Sequence, residues 1–285
     1  MAVKILTDST SCMSSDIVKK FEIDIVSLSV TFDHEEFKET EISNEEFYKK
    51  MKEKGIPISS QPSIKDLCNA MEAVVSTGDE LLCIFISSDM SGTYSTAHIA
   101  RDMILENYKN AKIEILDSKT NCMQLGFAAI SAAKAAKEGK NLEEVKKSAE
   151  ENLKKSRFLF IPDNLVYLRK GGRIGGASAL VGNILKIIPI LTVDEGKTSV
   201  FAKIRTKKKA VEAMIDRVAA DAKSYGMGEM AIHHINCYDE AKKLSCEMKK
   251  KFNVEPIICD IGPVIGLHVG PGAIGIAYYT EKNMR

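Results

Sequence analysis

The chain has 285 residues, 45% of them hydrophobic and 28% charged, with a formal net charge of +1. That length suffices for one large or two ordinary domains with an apolar core, and the near-zero charge excludes a general attraction to nucleic acid or anionic membrane. No apolar run approaches the roughly 18 residues a spanning helix needs, so no stable membrane anchoring is expected.

In chain order, VKIL (3–6) and IDIVSLSV (23–30) read as strands, followed by LLCIFI (81–86) and KIEIL (112–116). Helices between them carry start signals: Ser43 with Glu46, Ser63 with Asp66, and Asn141 with Glu144 form capping boxes. Gly139 ends the helix before the last of these. Strands alternating with helices of this length predict an α/β fold, its N-terminal part a mainly parallel sheet flanked by helices. A second pattern begins near RFLFIP (157–162). IIPILTV (187–193), the turn at 194–197 and TSVFAKI (198–204) predict an antiparallel hairpin. A helix after Thr206, strand 229–235, helix 239–251, and strands 254–261 and 273–280 complete a mixed sheet with helices. Two α/β domains are therefore expected, spanning 1–156 and 157–285.

Seven cysteines include no C-x-x-C pair. Together with an N-terminus that enters a strand pattern directly, this predicts reduced thiols in a cytoplasmic protein and no zinc framework. His233 and His234 fall in a strand and point to opposite faces, a poor metal pair. No metal or cofactor is expected.

The loops after the early strands share neutral donors: TDSTS (7–11), SSDMSGT (87–93) and DSKT (117–120). In an open α/β sheet such loops border the ligand crevice. PISSQPS (57–63) adds Ser59, Ser60 and Gln61. Ser91 is the expected N-cap of a helix from about Tyr94, where free N–H groups with Gly92 and Thr93 attract an anion. A plain capped helix remains the competing explanation. The segment DIGPVIGLHVGPGAIG (260–275) reads as a glycine-rich loop permitting close backbone approach, with His268 in it. It matches neither a dinucleotide nor a P-loop fingerprint. A serine-dependent hydrolase or transferase acting on a small acyl substrate is an alternative. It would use Ser91 or Ser60 with His268 and one of Asp8, Asp117 or Asp260, but the G-x-S-x-G elbow is absent. The basic run at Lys207, Lys208 and Lys209 reads either as a solvated surface or as a docking patch for an acidic partner.

These segments, with LRKGGRI (168–174), RTKKKA (205–210) and GPVIGLHVGPGAIG (262–275), occur in the order found in the DegV family, which the chain resembles end to end. The resemblance implies a non-catalytic protein that binds a long-chain fatty acid in an interior apolar tunnel. Such a protein would be the fatty-acid-binding subunit of a bacterial fatty acid kinase, whose catalytic subunit makes acyl phosphate for phospholipid synthesis. On this sequence the family's hydroxyl residues fall on Ser59, where Thr is commoner, and on Ser60 and Ser91, with Gly92 and Thr93 beside them. Its histidine falls on His268. Its arginine falls on Arg173, near the carboxylate or at the kinase interface, where Lys207 and Lys208 would also dock. Neutral donors can stabilise a carboxylate without a buried cation.

Overall fold

The computed structural model describes residues 1–180 and 187–284. The chain divides into two compact units, residues 1–152 with 262–264, and residues 153–261 with 265–285.

The first unit runs β1 (Val3–Asp8), a 3-10 turn (Ser9–Ser11), α1 (Ser15–Phe21), β2 (Ile23–Val26), β3 (Ser29–Phe32), β4 (Glu35–Lys38), α2 (Asn44–Lys54), β5 (Ile58–Ser60), α3 (Ile64–Val75), β6 (Glu80–Phe85), α4 (Thr93–Asn107), β7 (Ile113–Asp117), α5 (Cys122–Lys137) and α6 (Leu142–Lys155), the last reaching the boundary. A four-stranded sheet has the order β2-β1-β6-β7, all parallel. Leu81 to Phe85 of β6 are all buried, the continuous apolar run of a strand covered on both faces. Leu67 and Met71 of α3 and Ala97, Ala100 and Ile104 of α4 pack with Leu6, Leu81, Cys83 and Phe85. Helix α5 lies against β1.

The expected strand 23–30 is two strands in two different sheets, because the backbone of Leu28 leaves the ladder. Its N–H donates to Ser9 Oγ at 3.0 Å and its carbonyl accepts from Glu39 N–H at 2.8 Å. Beyond this break β3 joins an antiparallel sheet of order β4-β3-β5. The hydroxyl-bearing segment 57–63 contributes a short strand, β5, whose Ser59 and Ser60 pair with Val30 and Ser29. The capping boxes form as read: Ser43 accepts from Glu46 N–H, Ser63 from Asp66 N–H, and Asn141 and Glu144 bond each other's backbone.

The second unit contains β8 (Ser156–Ile161), α7 (Val166–Lys170), a 3-10 segment (Gly175–Leu180), β9 (Ile188–Asp194), β10 (Lys197–Ile204), α8 (Lys207–Tyr225), β11 (Met230–His234), α9 (Tyr238–Phe252), β12 (Ile257–Asp260), α10 (Pro263–Val269, beginning in the 262–264 piece of the first unit) and β13 (Ile274–Tyr279). Its sheet has the order β10-β9-β8-β13-β11-β12, antiparallel except for β11 with β12. The β9–β10 hairpin turns through Glu195 and Gly196, both at positive φ, the geometry that matches strand twist. Met214 and Val218 of α8 and Leu244 and Met248 of α9 pack on Leu159, Ile190, Ile232 and Ile276. The segment 260–275 is not a loop throughout. Residues 263–269 form a helical turn pair, because Pro263 opens it with a preset φ and Gly270, at φ 85°, closes it.

Candidate functional site

In the first unit the chain steps from β1 outward to β2, then crosses to β6 and β7 on the other side. The loops after β1 and β6 diverge there, at the carboxyl edge where ligands bind in open α/β sheets. Asp8, at the end of β1, is fully buried. It accepts from Ile86 N–H at 2.7 Å and from Thr10 N–H at 3.0 Å, tying the two loops together. Burial pushes its carboxyl up to about 6, against hydrogen bonds from Thr10 and Ile86 that hold it down.

The loop from Ile86 to Gly92 carries Ser91. The helix cap falls one residue later than expected, at Gly92, whose φ of −74° is already helical. Ser91 Oγ nonetheless accepts from Thr93 N–H at 3.3 Å and lies 2.9 Å from Thr93 Oγ1. Thr93 is buried. Gln61 comes to the same place. A Cβ on Gly92 would overlap Gln61 Oε1, while Gln61 Nε2 donates to Thr96 Oγ1. The structure therefore brings Gln61, Ser91, Gly92 and Thr93 together at the start of α4. Ser59 and Ser60 do not share a direction. Alternation along β5 sends them to opposite faces, and Ser60 is exposed while Ser59 is partly covered.

In the second unit His268, near the end of α10, is buried against the LRKGGRI segment. A Cβ on Gly171 would overlap His268 Nδ1. Burial, then the nearby Arg173 charge, pushes the imidazole down to about 4. Arg173 is exposed and donates to the Gly171 carbonyl at 2.8 Å. His268 is thus neutral at physiological pH, with one ring nitrogen a donor. As a general base it is weak, because protonating it near pH 7 costs roughly 4 kcal/mol. The acids a hydrolase would need are engaged elsewhere: Asp8 with Thr10 and Ile86, Asp117 with Lys119, and Asp260 at 3.4 Å from His234. His233 and His234 are core residues, both held down by burial, His233 to about 3. Lys207 is engaged by Glu240 at 2.8 Å, whereas Lys208 is exposed.

Two charged residues of this edge lay outside the sequence reading. Glu39 is fully buried, accepts from Ser9 Oγ and from Val264 N–H at 2.9 Å, and is pushed up to about 7 by burial. Lys119 binds Ser88, Asp89 and Asp117. The lysine within the hydroxyl-rich DSKT stretch was the available signal for Lys119. One acid among many in an acidic stretch offered none for Glu39.

A family model for the DegV family of uncharacterised proteins matches residues 2–281. The chain belongs to the DegV family. It is 78% identical over 285 residues to a DegV domain-containing protein of Clostridium acetobutylicum, covering all of both chains. It is 34% identical over 282 residues to Protein DegV of Bacillus subtilis, covering 98% of this chain and 99% of that one. Its fold matches a DegV family protein from Thermus thermophilus, reported for fatty acid binding, with a TM-score of 0.90 at 27% identity, covering 98% and 100% of the two chains. It matches the crystal structure of DegV from Bacillus subtilis, described as a fatty acid binding protein, with a TM-score of 0.89 at 33% identity over 98% and 99%. Among the described residues, no helix of this DegV family member is long and apolar enough to cross a membrane.

Proposed function

We propose that this DegV family protein binds a long-chain fatty acid in an interior apolar tunnel and presents its carboxylate to a separate kinase subunit, which forms the acyl phosphate. In this reading the protein performs no chemistry itself. The observation that carries it is the convergence of Ser91, Gly92, Thr93 and Gln61 at the start of α4. That cluster offers neutral donors and a positive helix end to an anion. The fatty acid binding reported for the Thermus and Bacillus relatives supports the same ligand class. Ser59, Ser91, Gly92 and Thr93 are the proposed carboxylate contacts. Ser60, exposed on the other face of β5, is given no role. Arg173 and Lys208 are the proposed kinase contacts. Lys207 ranks below them because Glu240 holds it.

The acyl tail supplies the affinity. At about 0.8 kcal/mol per buried CH₂, some 15 methylenes offer roughly 12 kcal/mol gross. Immobilising both partners removes much of that. Solvent extraction of the purified protein followed by mass spectrometry tests the reading. A long-chain fatty acid is expected, and recovery of no lipid together with no uptake of added fatty acid overturns it.

A further inference from the structure

Lys119, in the loop after β7, has a left-handed backbone with φ 52°. Glycine suits that region and lysine is strained in it, so the side chain needs a reason to be there. Its ammonium reaches back across the carboxyl edge. It donates to Ser88 Oγ at 3.1 Å and Asp89 Oδ2 at 3.2 Å in the loop after β6, and lies 3.0 Å from Asp117 Oδ2 at the end of its own strand. Asp117 completes the link by accepting Ser88 N–H at 3.2 Å and Lys119 N–H at 2.9 Å. Thr120 adds its carbonyl to Ser87 N–H at 2.9 Å. The gripped turn then sets Ser91, whose N–H returns to the Ser87 carbonyl at 3.1 Å.

The lysine side chain is half exposed, and ion pairs so exposed add little to global stability. Its value therefore lies in geometry. We propose that Lys119, oriented by Asp117, is a positioning residue that fixes the Ser88–Asp89 turn and through it the placement of Ser91 Oγ for the ligand carboxylate. The ligand half of this statement rests on the fatty acid reading above.

The test is Lys119→Gly, which suits the backbone and removes the ammonium, made in the full chain beside Lys119→Arg. Urea unfolding is expected to show stability equal to or above wild type. Amide exchange at Ser88–Ser91 is expected to quicken about tenfold, as for a loop whose local opening has become easier. Dissociation of oleate is expected to quicken about fivefold, with Lys119→Arg restoring much of it. The effect on dissociation disappears in a Ser91→Ala background if the two residues act as a unit. Unchanged exchange in Lys119→Gly, or an effect on dissociation that persists in the Ser91→Ala background, overturns the proposal. If wild-type protein takes up no oleate, the fatty acid reading falls. The exchange data then decide the clamp alone, faster exchange supporting it and unchanged exchange overturning it.

Discussion

The backbone N–H of Val264 donates to the buried carboxyl of Glu39 at 2.9 Å across 225 residues of sequence. Burial, and to a lesser degree the Asp8 carboxyl, raises Glu39 from 4.5 to about 7, while Ser9 and Val264 oppose the shift. The native state therefore holds a proton between pH 4.5 and 7 that the unfolded chain has released. Stability falls as pH rises through that window. Glu39→Gln keeps an acceptor for Val264 and removes the titration. The difference between wild type and Glu39→Gln in urea unfolding should grow from pH 5 to pH 8 in favour of the variant, by up to about 3 kcal/mol. A pH-independent difference would show that Glu39 does not titrate in this window.

Ser91 and Ser60 separate on mutation. Ser91 Oγ sits 2.9 Å from Thr93 Oγ1 at the helix start, whereas Ser60 faces outward from β5. Losing one neutral donor to a carboxylate costs about 1.5–3 kcal/mol, or roughly ten- to a hundredfold in affinity. Ser91→Ala should weaken oleate binding by that factor in a fluorescence displacement assay, and Ser60→Ala should leave it unchanged. Equal effects from the two would remove Ser91 from the proposed contact set.

Local signals were legible in the sequence and nonlocal ones were not. The capping boxes at Ser43, Ser63 and Asn141 are decided within four residues, and they form as read. The β9–β10 hairpin is likewise written in its Glu-Gly turn. The break between β2 and β3 is different. Leu28 leaves the ladder because Ser9 and Glu39, remote in sequence, offer it better-placed partners. Helix α10 was hidden by the glycines and prolines in and around it, of which Pro263 opens the helix and Gly270 closes it. The hydroxyl-rich loop ends were visible as a group. What holds them, Lys119 from one side and Asp8 from the other, depends on the strand order β2-β1-β6-β7.

Gly92 and Gly171 both have ordinary φ values, −74° and −75°, so a methyl at either meets a neighbour rather than backbone strain. At Gly92 that neighbour is the far end of the exposed Gln61 side chain, which can swing away at the loss of its hydrogen bond to Thr96 Oγ1. At Gly171 it is the buried His268 ring, which cannot. Gly171→Ala should therefore cost about 1–3 kcal/mol and displace the His268 ring resonances in NMR. Gly92→Ala should cost about 0.5 kcal/mol or less. Equal costs would mean that the His268 ring has room to move.

Kinase docking, if it uses the basic surface as proposed, should distinguish neighbouring lysines of α8. Lys208 is exposed, while Lys207 is held by Glu240 at 2.8 Å and donates to the Gly272 carbonyl at 3.3 Å. Exposed charges at an interface rim act mainly on association rate and are screened by salt. Charge reversal at Lys208 or Arg173 should slow acyl phosphate formation in a reconstituted assay with the kinase subunit, about tenfold at low salt and less at high salt. Lys207→Met should instead lower stability slightly and leave the salt dependence alone. A salt-independent loss in Lys208→Glu, or no loss, would place the docking surface elsewhere.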